Sequence, residues 1–150
     1  MKIGVLGILF LSFLSFQLSA QKAMPVKWQF DIEKINDTDY NVIFTASIDK
    51  GWYVYSQYLE SDMGPIPTSF TFDNAADLEL ESQPEEIGEK IEKFDKLFDM
   101  NITKYANEVK FIQKVRNTKG AKEVVGSLEF MTCDDHQCLP PKSLDFKLEF

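Results

Sequence analysis

Cys133 and Cys138 are the two cysteines of this 150-residue chain, five positions apart in Phe130-Met131-Thr132-Cys133-Asp134-Asp135-His136-Gln137-Cys138-Leu139-Pro140-Pro141. Thiols this close form a disulfide in an oxidising compartment, and a disulfide either holds a chain together or exchanges with another protein's thiols. Both readings stand on spacing alone. As a crosslink the small ring stabilises by only about 2 kcal/mol, because short loops have little closure entropy to remove. As a redox couple it is constrained by its neighbours. Asp134 and Asp135 disfavour a thiolate by their charge, and no Lys or Arg lies between the cysteines. Exchange would therefore begin with a partner's thiolate attacking the disulfide. His136 is either a solvated loop side chain or a group that tunes the thiols. Pro140-Pro141 stiffens the exit from the loop, since each proline fixes its own φ and restricts the residue before it.

Other chemistries find too few ligands or nucleophiles. Cys133, Asp135, His136 and Cys138 include zinc-ligand types, but adjacent residues bind one ion poorly and no second Cys/His pair exists. Blue copper needs two histidines, and His136 is the single one. A hydrolase triad lacks a free thiolate and a second histidine. The expectation is no metal and no cofactor. With 24 acidic and 16 basic residues the net charge is −8, which argues against nucleic acid as a partner.

The N-terminus suggests where the thiols work. Met1-Lys2 is a short basic start, Ile3 to Phe16 is almost wholly apolar, and Leu18-Ser19-Ala20 ends in small residues before Gln21. This is the pattern of a cleaved secretory signal over residues 1–20, too short for a spanning helix, which needs roughly 20 apolar residues. Residues 21–150 are then a single exported domain, periplasmic or secreted, with no stable membrane insertion. A domain of this size buries roughly two thirds of its unfolded surface without a covalent staple.

The elements that must carry the cysteines read as strands. Trp28, Phe30 and Ile32 alternate with Lys27, Gln29, Asp31 and Glu33; Tyr40, Val42, Phe44, Ala46 and Ile48 do the same, and Asn36-Asp37-Thr38-Asp39 turns between them. Asp49-Lys50-Gly51 precedes the aromatic run Trp52-Tyr53-Val54-Tyr55. Further strand signals cover 69–72, 108–115, 124–132 and 144–150, the last with Leu144, Phe146, Leu148 and Phe150 on one face. From Asp77 to Asn107 charge dominates and apolar residues keep no steady period, so this segment is expected to be a long excursion between sheets. Phe94, Leu97, Phe98 and Met100 within it either pack into the core or cover something at one end. About seven short strands and little helix predict an all-β, two-layer antiparallel sandwich.

Several of these segments together resemble the N-terminal periplasmic domain of the bacterial thiol:disulfide interchange protein DsbD. They are Phe130 to Pro141 with its cysteines and paired prolines, Gly51-Trp52-Tyr53-Val54-Tyr55-Ser56, Gly64-Pro65-Ile66-Pro67-Thr68, and Phe98 to Tyr105 followed by Val109 and Phe111. The likeness spans Trp28 to Phe150 and implies an immunoglobulin-like fold and a thiol:disulfide oxidoreductase role. By position it implies that Cys138 forms the mixed disulfide with partners, Cys133 resolves it, and Phe98, or less favourably Phe94, caps the pair. The implied donor is a thioredoxin-like domain or membrane electron carrier, and the implied acceptor a periplasmic disulfide isomerase. Neither of the domains that follow in full-length DsbD comes after Phe150, so the donor is expected on a separate chain. The family's best-known form has one more residue between its cysteines, so this loop is tighter. The competing expectation is a secreted binding sandwich with an inert disulfide.

Overall fold

Alternation of apolar and polar residues produces the first hairpin. β1 (Val26–Lys34) and β2 (Asp39–Ile48) pair antiparallel from Val26↔Ile48 to Lys34↔Tyr40. The Asn36 side-chain oxygen closes the turn by accepting the N–H groups of Thr38 and Asp39 at 3.0 and 2.9 Å. The computed structural model describes residues 24–59 and 64–150, so the expected signal segment lies outside the described residues. After the Asp49-Lys50-Gly51 turn come β3 (Tyr53–Tyr55), β4 (Ser69–Phe72), β5 (Glu79–Asp95), β6 (Met100–Arg116), β7 (Glu123–Phe130), β8 (Thr132–Cys133) and β9 (Lys142–Glu149).

These strands form two sheets, one running β1-β2-β6-β3-β8 with β5 also on β6, the other β4-β7-β9. All pairs are antiparallel, and the architecture is an immunoglobulin-like sandwich. Its core interleaves Val42, Phe44 and Ala46 of β2 with Val109, Phe111 and Val115 of β6, Val124 and Leu128 of β7, and Phe146 of β9. The Phe44 ring lies 4.5 Å from that of Phe70 and 4.9 Å from that of Phe146, joining the two sheets. The β9 alternation holds, with Leu144, Leu148 and Phe150 packed beside Phe146. Gly126 allows the smaller sheet to close: a Cβ there would overlap the Thr71 carbonyl oxygen and stand 2.6 Å from the Phe146 ring.

The segment 77–107 corrects the expectation of an excursion between sheets. It is mostly strand, the greater part of a long hairpin in which β5 and β6 pair from Glu79↔Arg116 to Asp95↔Met100. Two irregularities, between Glu81/Glu85 and Gly88/Glu89, shift the register and erase the period of two. Ser82 and Asn107 take left-handed backbone at φ +53° and +61° beside them. A Cβ on Gly88 would come within 2.7 Å of the Glu108 carbonyl oxygen, so the second shift needs glycine. β5 is also an edge strand whose side chains are mostly exposed. Edge strands carry charge to resist pairing with other chains, which explains a strand that reads as polar loop.

Candidate functional site

The cysteines do not belong to the core between the sheets. Val54 pairs with Tyr105 and Thr132, and Val54 and Tyr105 point into that core. Side chains one residue away point to the other face. Tyr53 pairs with Cys133 and Tyr55 with Lys104, so Tyr53, Tyr55, Ile102, Lys104 and Cys133 share the outer face of the large sheet. There Tyr55, Ile102 and Cys133 form a separate small core, with Leu59, Phe98, Met100, Met131 and Cys138 packed against it. Met131 is the one residue between β7 and β8, where the chain changes sheets and brings Cys133 to this face.

Cys133 and Cys138 are joined as a disulfide, with Cα atoms 4.0 Å apart. The loop is a miniature hairpin. Leu139 N–H donates to the Thr132 carbonyl at 3.0 Å and Asp134 N–H to the Gln137 carbonyl at 2.9 Å. Asp134 Oδ1 accepts the N–H groups of His136 and Gln137 at 2.7 and 2.8 Å. The His136 amide first, then that of Gln137, holds the Asp134 carboxyl below the usual range. Its charge is thus directed onto the loop backbone. Cys133 is 0 % exposed whereas Cys138 is half-buried, so the two residues differ in exposure. Asp135 and His136 are exposed.

Four residues, Lys96 to Asp99, turn the β5–β6 hairpin beside the disulfide cluster. Phe98 meets Tyr55 edge-on, ring centres 6.1 Å apart, and joins Met100 in the disulfide cluster. Phe94 and Leu97 point outward, 53 % and 44 % exposed. Phe94 instead borders a cleft with Asp135, His136 and Lys104. The structure therefore gathers Phe98, Cys133 and Cys138 in one cluster and leaves Phe94 at its rim.

Three further groups belong to this site. Lys104 is 1 % exposed and donates to Asp95 Oδ2 at 2.9 Å, with its ammonium 4.0 Å from the centre of the Tyr53 ring. Burial pushes the Asp95 carboxyl up, but the hydrogen bonds from Lys104 and the Leu97 amide pull it further down, to a net value below the usual range. Tyr55, fully buried, has no hydrogen-bond partner for its hydroxyl among the described residues; burial first, then the charges of Asp95 and Asp135, push its phenol strongly up. Glu86 of β5 accepts from Ser56 Oγ, Gln57 N–H and Tyr105 Oη at 2.8, 2.7 and 2.7 Å, tying the segment after β3 to the hairpin. Alternation with Ile102 was the one available sign that Lys104 turns inward. Among the described residues no group of three or more His, Cys, Asp or Glu could hold a metal ion, and no helix is long and apolar enough to cross a membrane.

Residues 20–149 match the family model for the N-terminal region of the thiol:disulfide interchange protein DsbD. The chain belongs to this family. DsbD N-terminal domains also appear among the similar solved structures. The Neisseria meningitidis DsbD N-terminal domain in the reduced form is 21% identical, with a TM-score of 0.55 over 82% of this chain and 85% of that one. The complex between the DsbD and PilB N-terminal domains from the same organism gives 22% and 0.52, over 88% and 87%. The N-terminal periplasmic domain of ScsB from Proteus mirabilis gives 14% and 0.61, over 88% of this chain and 49% of that one. At these identities the structures speak for a shared fold, while the family model carries the membership. No curated protein sequence matches the chain. Membership of the DsbD N-terminal family, with a closed cysteine pair that shares a cluster with Phe98 of a hairpin turn, is thus the frame for function.

Proposed function

We propose that this DsbD N-terminal domain is a periplasmic thiol–disulfide exchange module that passes two electrons from a thioredoxin-like donor, or a membrane electron carrier on another chain, to a periplasmic disulfide isomerase or similar acceptor. The observation that carries this reading is the position of the disulfide. It lies outside the main core, in a small cluster that Phe98 of the hairpin turn also joins, with Cys133 buried and Cys138 half-buried. A bridge serving only stability has no need of such a separate place. Partner engagement agrees with the meningococcal relative, whose DsbD N-terminal domain forms a complex with the PilB N-terminal domain.

In the reductive half-cycle the donor thiolate attacks Sγ of Cys138, the Cys138–Cys133 bond breaks, and Cys133 leaves as a thiolate that takes a proton. The donor's second thiolate then attacks its own sulfur in the mixed disulfide and releases Cys138. The donor is oxidised to a disulfide and the domain reduced to a dithiol. Toward the acceptor the order reverses: Cys138 attacks the acceptor disulfide, and Cys133 resolves the mixed disulfide and regenerates the internal bond. Phe98 covers the pair until a partner displaces it, Phe94 stands at the rim where the partner docks, and Asp134 shapes the loop. Asp135 and His136 flank the approach, where the polar surface they make adjusts the incoming thiolate's environment.

A Cys133→Ala variant tests the assignment, since Cys138 then forms a mixed disulfide that the domain cannot resolve. The expected result is a covalent adduct with an exported thiol protein that disappears in Cys138→Ser. A folded Cys133→Ala domain that captures nothing would favour the secreted binding sandwich with an inert bridge.

A further inference from the structure

Asp95 is the last residue of β5 and Lys104 lies in β6, so the two side chains meet across the hairpin behind the turn that carries Phe98. The carboxylate works in both directions. Its Oδ1 accepts the backbone N–H of Leu97, inside the turn, at 2.9 Å, and its Oδ2 accepts Lys104 Nζ at 2.9 Å. The ammonium is buried and sits over Tyr53, whose Cα partner is Cys133. A continuous set of contacts therefore runs from the turn through Asp95, Lys104 and Tyr53 to the strand bearing the resolving cysteine.

A buried ion pair contributes little net stability over an apolar pair of the same shape, but removing one partner strands an uncompensated charge. In some proteins such a pair fixes one arrangement against others. Here it reaches the turn, because the carboxylate that accepts the Leu97 amide is the one held by Lys104. We propose that Asp95 and Lys104 are positioning residues, a buried latch that holds the Phe98 turn closed over the disulfide and so sets how often the sulfurs are uncovered. This rests on the reading of Phe98 as the gate.

The test measures the rate at which dithiothreitol reduces the Cys133–Cys138 bond in the full chain, read by thiol labelling, beside the melting temperature. Lys104→Met and Asp95→Asn are each expected to speed reduction about tenfold, which corresponds to about 1.4 kcal/mol of lost closure. Lys104→Arg, which keeps a charged donor, is expected to stay near the wild-type rate. Val124→Ala, in the core of the far sheet, controls for general loosening. If it speeds reduction as much as Lys104→Met does, the latch is overturned. Phe98→Ala separates the latch from the gate. Fast reduction in Phe98→Ala with wild-type rates in Lys104→Met and Asp95→Asn overturns the latch and leaves the gate standing. Wild-type rates in all three overturn the gate and the latch with it.

Discussion

The carboxylate of Asp134 is turned inward onto the loop that carries it. Two amides from His136 and Gln137 converge on one oxygen, so a charge that the linear sequence places against a thiolate is largely committed to shaping the hairpin around the disulfide. This gives a pH dependence with a definite sign. Asp134 has a lowered value when folded, so its contribution is complete above the ordinary carboxylate range of about 4 and is lost as pH falls through the folded value. Reduction of the disulfide by a phosphine, which remains nucleophilic in acid, should therefore accelerate as pH is lowered below about 4. Asp134→Asn keeps an oxygen acceptor without a titration, and its rate should be flatter over the same range. Parallel profiles for the two proteins would mean that the acid response comes from another carboxylate, such as Asp39 or Asp95, whose values are also lowered.

The β5–β6 hairpin is the element that makes the site, and it is held by more than its ladder. Glu86 receives donors from Ser56, Gln57 and Tyr105, fastening the segment after β3 beneath the hairpin. Glu86→Ala leaves several partly buried donors unpaired and should cost about 1–3 kcal/mol, whereas Tyr105→Phe removes a single donor and should cost about 0.5–1.5 kcal/mol. Urea midpoints with unchanged slope would measure both, and equal losses would show that Tyr105 carries the network alone. This element also marks the limit of sequence reading. β1, β2 and β9 were legible because each has one face in the core and one in water, so Phe44 or Phe146 announces its strand. β5 was not, because register shifts at Ser82 and Gly88 interrupt its alternation and neither of its faces is well buried. The cysteines stood out by type and spacing, and Phe98 by resemblance. Lys104 did not, because its partners Asp95 and Tyr53 are chosen by how the hairpin and β3 fold against each other, which composition cannot express.

At the scale of the molecule, the sandwich and the disulfide occupy different cores. The main core joins both sheets through Phe44, Phe70, Phe111 and Phe146, and the small one lies on the outer face of the larger sheet. Breaking the bridge removes little from the first, because the loop it closes is short: about 2 kcal/mol by loop entropy. The reduced chain should stay folded, with a urea midpoint lower by roughly 1 M for a typical slope of about 1–3 kcal/mol/M. Trp28, packed against Phe111 and Phe130 at 5.9 and 5.2 Å, reports on the main core, and its fluorescence should be nearly the same in both redox states. An exchange module requires this, since its dithiol form must survive long enough to meet an acceptor. Should reduction alone release Trp28 to solvent, the bridge would be supporting the sandwich itself, and a cycle through the dithiol would unfold the protein at each turn.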